Sequence, residues 1–281
     1  AKIVLWILLL GISIQSLRQC IHAVYNAEPN DNAQVWRTIR FLNSGMVLVP
    51  ICFLLFGPKR TLFERAMVAL GLGICCVALV LTQTRSMWVP QAVAISLAAI
   101  YGIRVGRIRL RHIMIAAAGL VLAITVFETM TNVHLSNLFF EGRMTDFSSG
   151  TGREDAAVLE IEAWLNSNLV FGCGIGYHYG VDVGVSDVAW GHVGYVSYLS
   201  NLGLLGFLLY AVAVPMHALG CCDVLKGCRN NHLSLFGRIG YYLTIATIIM
   251  TALTPGLLAG TAYSLYAIML GGVYSLSLEA V

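Results

Sequence analysis

The chain has 281 residues, of which 58% are apolar and only 11% are charged. Soluble domains carry about 25% charged residues, so this composition excludes an ordinary soluble protein and places the chain in the membrane class. The formal net charge of +3 is too small to indicate a nucleic-acid partner.

Eight segments are apolar enough to be membrane spans, for which a helix needs about 20 mostly apolar residues. The charge-free stretch at residues 239–278 is long enough for two of them, with a turn at Pro255-Gly256. The predicted spans are residues 3–17, 41–56, 66–82, 91–103 (starting near Trp88), 113–127, 189–219 and two within 239–278. We therefore expect an all-α, polytopic transmembrane bundle. Because an apolar run follows Ala1 almost directly, we expect the sequence to have been shortened at its N-terminus.

Basic residues cluster in three alternate connections between these spans. They are Lys59, Arg60 and Arg65, then Arg104, Arg107, Arg109 and Arg111, then Lys226, Arg229 and Arg238. Alternate connections lie on one side of the membrane, and the excess of positive charge predicts that this side is cytoplasmic. The connections at 18–40, 84–89, 128–187 and Pro255 then face outward. We expect three parts: N-terminal spans (1–127), a large outward loop (128–187) and C-terminal spans (188–281).

The outward loop is too long for a simple connector and contains a helix signal. Thr151 and Glu154 have the spacing of a capping box, and Asp155 adds negative charge to the first turn. Apolar residues then recur at helical spacing up to Asn166, namely Ala157, Val158, Ile161, Trp164 and Leu165. Glu160 and Glu162 are expected to point away from that face. The pattern predicts a short amphipathic helix with Trp164 at the membrane interface.

A glycine run, Gly172-Cys173-Gly174-Ile175-Gly176, follows this helix. Its GxGxG spacing differs from the GxGxxG of dinucleotide-binding folds, which also lies between a strand and a helix. We instead expect a flexible or tight loop that brings backbone close to a helix end.

Three arginines are predicted to face outward: Arg85, Arg143 and Arg153. The guanidinium fork suits phosphate oxygens, so three of them on one face could bind a pyrophosphate. Taken singly, each is more typical of a lipid-headgroup contact or an ion pair. Arg85 stands out because it nearly interrupts an apolar stretch from residue 66 to residue 103.

His192 lies at the predicted entrance of the sixth span, on one helical face with Tyr195 and Leu199. A histidine titrates near neutral pH, which suits a general base, although a lone histidine at a helix entrance is more commonly an interfacial residue. The eight cysteines include no zinc-type CxxC pair. We interpret Cys222 and Cys228, which lie near His232, as reduced loop cysteines, and we predict neither a metal site nor a cofactor.

The order of these motifs resembles the O-antigen ligase and O-antigen (Wzy-type) polymerase family over roughly residues 66–220. The motifs are Gln83-Thr84-Arg85-Ser86, then Thr151-Gly152-Arg153-Glu154 with Trp164, then residues 171–176, then the helix start from His192 through Tyr195 to Gly203 and Gly206. Two positions depart from the family pattern. Val193 replaces an asparagine and Asn201 replaces an acidic residue, so the roles of those side chains are not carried over.

The resemblance implies a membrane-embedded C-type glycosyltransferase of the bacterial inner membrane that acts on the periplasmic face without a nucleotide sugar or an essential metal. The implied donor is a glycan on undecaprenyl pyrophosphate. The acceptor is another lipid-linked repeat in a polymerase of O-antigen or exopolysaccharide, or the lipid A core in a ligase. Nothing in the residues separates these two, and the variability of polymerase sequences favours the polymerase.

For this chemistry, Arg85 and Arg153, with support from Arg143, would stabilise the departing pyrophosphate. His192 would orient or deprotonate the acceptor hydroxyl, and attack opposite the leaving group would invert the anomeric centre. His178, Tyr195 and Trp164 are candidate substrate contacts, and the surrounding partner is membrane lipid.

Two other classes of protein fit the composition. A secondary transporter would place ionisable residues at mid-membrane, where the predicted spans have almost none. A receptor or structural membrane protein would use the outward loop only to bind a partner. Both stay open alternatives.

Overall fold

The computed structural model describes residues 2–25, 47–58, 61–81, 85–106, 114, 118–119, 121–122, 125–126, 128–129, 151–174, 194–227 and 231–253. Within these ranges the chain forms helices and no β-strand. The seven helices bounded there are α1 (Lys2–Tyr25), α2 (Leu48–Phe56), α3 (Leu62–Leu81), α4 (Arg85–Arg104), α5 (Thr151–Leu165), α6 (Gly194–Gly227) and α7 (Asn231–Leu253).

Four of the helices are long and apolar enough to cross a membrane. The qualifying segments are Lys2–Ile21, Leu62–Leu79, Gly194–Asp223 and His232–Ala252. They coincide with the first, third, sixth and seventh predicted spans, which confirms a helical membrane protein. The predicted span at 113–127 is described at only a few helical residues, and the predicted turn at Pro255 with the last crossing lies outside the described residues.

Several helices extend beyond the predicted spans. Helix α1 continues to Tyr25, so Arg18 is helical instead of lying in a connection, and α4 already begins at Arg85. Arg65 and Arg238 lie inside α3 and α7, not in loops. These boundary predictions were wrong because hydropathy marks the apolar part of a helix, whereas charged residues with long aliphatic stems are tolerated in its outer turns.

Helix α7 forms the centre of the bundle. It packs on α6 and α4 along most of its length and also contacts α2, while α1 packs on α3. Within its span segment 61% of the residues are buried, against 17–28% in the other three spans. The core therefore lies around α7, and the other spans direct most of their apolar side chains outward, as expected for helices that face lipid.

Contacts near the helix termini define two ends of the bundle. At the first, Lys2 Nζ lies 3.7 Å from Glu64 Oε1, so α1 and α3 start side by side and run parallel. A cavity of about 80 Å³ between Lys2, Glu64 and His232 adds the start of α7 to this end. The guanidinium carbon of Arg238 lies 4.9 Å from the Tyr101 ring centroid, which brings the end of α4 here as well. We call this the Lys2 end.

The opposite end holds the start of α4 and of α6. The Trp88 indole donates a hydrogen bond to the Leu79 carbonyl (2.7 Å) and closes the α3–α4 hairpin. The Tyr195 hydroxyl donates to the Ile248 carbonyl (2.9 Å), which joins the start of α6 to the far part of α7. We call this the Gly203 end, after the residue at its centre.

Candidate active site at the interrupted helix α6

Helix α6 is interrupted at Gly203. This residue has φ 66° and ψ −173°, a conformation that essentially only glycine adopts. The rings of Tyr198 and Tyr210 nevertheless stack across the break, with centroids 4.8 Å apart. A straight helix would separate their Cα atoms by about 18 Å, so the break bends residues 194–202 sharply against residues 204–227.

A loop at residues 166–174, which follows α5, fills the break. Four backbone hydrogen bonds join the loop to both sides of Gly203. They run from Cys173 N to Ser200 O (2.7 Å), Gly174 N to Asn201 O (3.1 Å), Leu204 N to Leu169 O (3.0 Å) and Leu205 N to Val170 O (3.1 Å). In a membrane, each unsatisfied backbone group would cost several kcal/mol, so the loop is what makes the interruption of α6 possible.

Local bonds fix the shape of this loop. The Asn168 side-chain oxygen accepts hydrogen bonds from Val170 N (3.0 Å) and Phe171 N (3.1 Å), which is the pattern of an Asx turn. The Trp164 indole donates to the Leu169 carbonyl at 3.1 Å. Gly172 has φ 74°. The predicted close approach of backbone to a helix end is thus confirmed at Gly172, whereas Gly176 lies outside the described residues.

Glu160 lies between α5 and α6. Its side chain is buried, and the Ser197 hydroxyl donates to both carboxylate oxygens, at 2.8 Å and 3.0 Å. Glu160 thus points away from the apolar side chains Val158, Ile161 and Leu165, as predicted. Its burial was not predicted: the part of α6 that α5 meets offers hydroxyl and amide groups, and a buried carboxylate needs such partners.

Asn201 adds an unsatisfied group beside this contact. Its amide nitrogen donates to the Ser197 carbonyl (2.8 Å), but its buried side-chain oxygen accepts no hydrogen bond from the residues that the structure describes. Most buried polar atoms do have a partner, so such exceptions are informative. The break therefore contains a buried polar cluster, made of the Glu160 carboxylate, the Ser197 hydroxyl and the Asn201 amide.

Four of the residues predicted for the site lie in elements located towards the Gly203 end, where α5 packs on α6. Arg85 is the first residue of α4, Trp164 lies in the last turn of α5, and Tyr195 lies in the first turn of α6. Arg153 lies in the first turn of α5, seven residues before Glu160, and that spacing places its Cα on the same side of the helix. His192, His178 and Arg143 lie outside the described residues.

The structure also gives two of these residues local roles. The Tyr195 hydroxyl is engaged by the Ile248 carbonyl, and its ring contacts those of Phe207 and Tyr210. The Trp164 indole is engaged by the Leu169 carbonyl. Both side chains therefore hold the interrupted helix or its loop in place, and any contact with a substrate would use their ring faces.

Sequence reasoning missed Glu160, Ser197 and Gly203 as parts of the site. The motif that contains Gly203 and Gly206 predicts a continuous apolar helix. A polar residue such as Asn201 just before a glycine within a span is the signal that could have predicted the break, since a freed backbone in a membrane needs polar partners.

The cavity of about 80 Å³ at the Lys2 end lies at the other end of the bundle from this site. Within the described ranges, no group of three or more His, Cys, Asp or Glu residues could hold a metal ion. No protein-family model matches the chain, and no curated protein matches it.

Proposed function

We propose that this protein is a membrane-embedded, inverting glycosyltransferase. It transfers a glycan from undecaprenyl pyrophosphate on the periplasmic face of the bacterial inner membrane and polymerises surface-polysaccharide repeats. The alternative within the same chemistry is a ligase that delivers the glycan to the lipid A core. The full proposed topology has eight spans and a periplasmic loop at 128–187.

One observation supports this proposal above the others: the contact between Gly172 and Gly203. The first belongs to the glycine run that follows the Arg153 segment, and the second belongs to the motif that starts at His192. Backbone hydrogen bonds join the two stretches directly. Two motifs that lie apart in sequence are therefore one structural unit, as expected for parts of one active site.

The location of the basic residues supports the proposed topology. Arg65, Arg104 and Arg238 belong to three different predicted connections, and all lie towards the Lys2 end. Arg85 and the α5 segment with Arg153 lie towards the other end. A cytoplasmic Lys2 end would satisfy the positive-inside rule and leave the Gly203 end facing the periplasm.

In the proposed mechanism, negative charge grows on the pyrophosphate as the glycosidic bond breaks. Arg153 and Arg85, with Arg143, stabilise that charge, and a donor of this kind contributes about 2.7–4 kcal/mol to the transition state. His192 precedes the first half of α6 by two positions and would deprotonate the acceptor hydroxyl.

A secondary transporter is a second candidate, and the interruption of α6 favours it. Transporters use discontinuous helices to bind substrates and coupling ions near the bilayer midplane, and Glu160 is a buried carboxylate at such a break. Glycosyl transfer stays the first proposal because Glu160 comes from the loop segment, not from a span, and because arginines in two elements at this end suit a phosphorylated substrate.

The test is the surface polysaccharide of a deletion strain, complemented with the full chain or an empty vector. A polymerase predicts that long chains disappear and single repeats remain, with complementation restoring the long chains. Long lipid-linked chains that fail to reach the core would identify a ligase. Unchanged polysaccharide in the deletion strain, together with uptake of a solute into proteoliposomes that contain the purified protein, would reject glycosyl transfer in favour of transport.

A further inference from the structure

The exposed side of α5 carries an apolar strip and a polar strip. Val158, Ile161 and Leu165 are 53%, 39% and 58% exposed, and at 100° per residue they fall within about 60° of the helix circumference. Glu162 and Asn166 are also exposed and lie beside that strip. Glu160, on the opposite side, is buried against α6. The helix therefore turns its apolar side away from the protein.

The apolar strip continues into the loop that fills the break. Leu169, Val170 and Phe171 are 49%, 49% and 63% exposed. Together with the strip on α5 they make six large apolar side chains in one short segment. Soluble surfaces rarely expose contiguous apolar patches of this kind, and where they occur they mark an interaction site.

This surface is continuous with the outward side of a membrane span. The carbonyls of Leu169 and Val170 accept hydrogen bonds from Leu204 and Leu205, whose side chains are about half exposed. Leu208 and Leu209 follow on α6 and are equally exposed. Because Gly194–Asp223 is long and apolar enough to cross a membrane, its outward leucines are expected to face acyl chains, and the loop residues are hydrogen-bonded beside them.

We propose that residues 158–171 form a membrane-inserted element. The apolar strip and the loop residues Leu169 to Phe171 lie among the acyl chains of the leaflet at the Gly203 end, while Glu162 and Asn166 face the water. The occupant of this surface is lipid. A protein partner or a second copy could cover an apolar patch that has no polar strip beside it. A helix that lies in the plane of the membrane interface needs an apolar strip in the lipid and a polar strip in the water.

The sequence predicted only an interfacial helix with Trp164 as its anchor. The structure extends the inserted region to the loop and ties it to the interruption of α6 through the four backbone hydrogen bonds. Insertion of this element therefore holds the two halves of α6 at a fixed depth. The inference is independent of glycosyl transfer.

The test uses the full chain in vesicles of phosphatidylethanolamine and phosphatidylglycerol. The photo-crosslinking residue p-benzoylphenylalanine is placed at Leu165 or Phe171, with Glu162 and Asn166 as matched positions on the polar strip and Leu209 of α6 as the lipid-facing reference. We expect lipid adducts, identified by mass spectrometry, at 165, 171 and 209, and only background at 162 and 166.

Two outcomes would overturn the proposal. In the first, positions 165 and 171 yield no lipid adduct while position 209 does. In the second, 165 or 171 yields a crosslinked dimer, which would show that a second copy covers the strip. Size-exclusion profiles matching the unmodified protein exclude misfolded variants.

The natural Cys173 provides an independent readout, since it belongs to this loop and is partly buried. Phe171→Asp should lift the loop out of the leaflet and increase labelling of Cys173 by a membrane-impermeant maleimide, mapped by peptide mass spectrometry. Asn166→Asp, on the polar strip, should leave the labelling rate unchanged. Equal rates in Phe171→Asp and the unmodified protein would contradict insertion of the loop.

Discussion

Gly172 and Gly203 touch backbone to backbone. A Cβ atom added to Gly172 would lie 2.5 Å from the amide nitrogen of Gly203, and one added to Gly203 would collide with the carbonyl of Val170. Both residues have positive φ. Glycine is therefore required at both positions, by the space available and by the backbone conformation.

The first prediction concerns Gly203→Ala. The new methyl group would collide with Val170, and the backbone conformation of Gly203 is one that costs other residues about 1–3 kcal/mol. We expect a lower midpoint of thermal unfolding in detergent and faster proteolysis within residues 166–174. The matched control is Gly73→Ala in α3, where nothing lies within 4 Å of the added atom. That variant should be neutral or slightly stabilised by helix propensity, and equal effects of the two substitutions would contradict the proposed contact.

The second prediction concerns the contact between Glu160 and Ser197. Ser197→Ala removes a donor from a buried carboxylate, which costs about 1–3 kcal/mol. A double-mutant cycle with Glu160→Gln should show coupling of about 0.5–3 kcal/mol in the free energy of unfolding. Ser13→Ala is the control, because that hydroxyl donates to the Leu9 carbonyl of its own helix. Additive effects of Ser197→Ala and Glu160→Gln would show that the two residues do not act as a pair.

The third prediction separates a structural role of Trp164 from a substrate contact. Trp164→Phe removes the hydrogen bond to Leu169 but keeps an aromatic face, so it should cost about 0.5–1.5 kcal/mol of stability and leave KM for the lipid-linked donor unchanged. Trp88→Phe, which removes the bond to Leu79, should lower stability similarly. A large rise in KM with unchanged stability in Trp164→Phe would instead show that the indole binds substrate.

The fourth prediction follows from the proposed chemistry. Arg153→Ala and Arg85→Ala should each lower kcat about 10²–10³-fold, the loss typical of removing one transition-state donor. The lysine variants should recover only part of the rate because an ammonium lacks the planar fork. Arg65→Ala, on the exposed surface of α3 towards the Lys2 end, should keep full activity. Normal polymer from a well-expressed Arg153→Ala protein would remove that residue from the mechanism.

The fifth prediction concerns Arg238, whose guanidinium carbon lies 4.8 Å from the Phe56 ring centroid and 4.9 Å from that of Tyr101. Arg238→Gln should lower stability by about 0.5–2 kcal/mol through loss of these cation–π contacts. The contacts join α2, α4 and α7, so we expect the substitution to lower the unfolding midpoint of the whole bundle. Arg65→Gln should change the unfolding midpoint by much less than Arg238→Gln does. Equal shifts in the two variants would indicate a general effect of removing a positive charge.

The helical class and the location of most spans could be predicted from the sequence, because hydropathy measures the apolar character that a helix needs in order to lie in a bilayer. The ends of the helices could not. Arg85 begins α4, as a long side chain can reach towards the surface while its backbone stays helical. Arg238 lies inside α7 because its guanidinium packs on the rings of Phe56 and Tyr101.

The outward apolar side of α5 follows the amphipathic pattern of the sequence, but the burial of its opposite side could not be predicted. The neighbouring helix is polar at Ser197 and Asn201, and Glu160 is buried against it. The partner of the break at Gly203 was equally hidden, because it consists of backbone atoms some 30 residues earlier, which leave no side-chain pattern.

The hydrogen bonds between the loop and α6 also imply an order of assembly. A ribosome releases residues 166–174 before α6, and this earlier stretch supplies the carbonyls to which the Leu204 and Leu205 amides donate. Without them, α6 would enter the lipid with bare polar backbone, which a bilayer rejects. In the proposed topology the loop must therefore already be across the membrane when α6 is inserted, so that a translocation defect upstream would appear as misinsertion downstream.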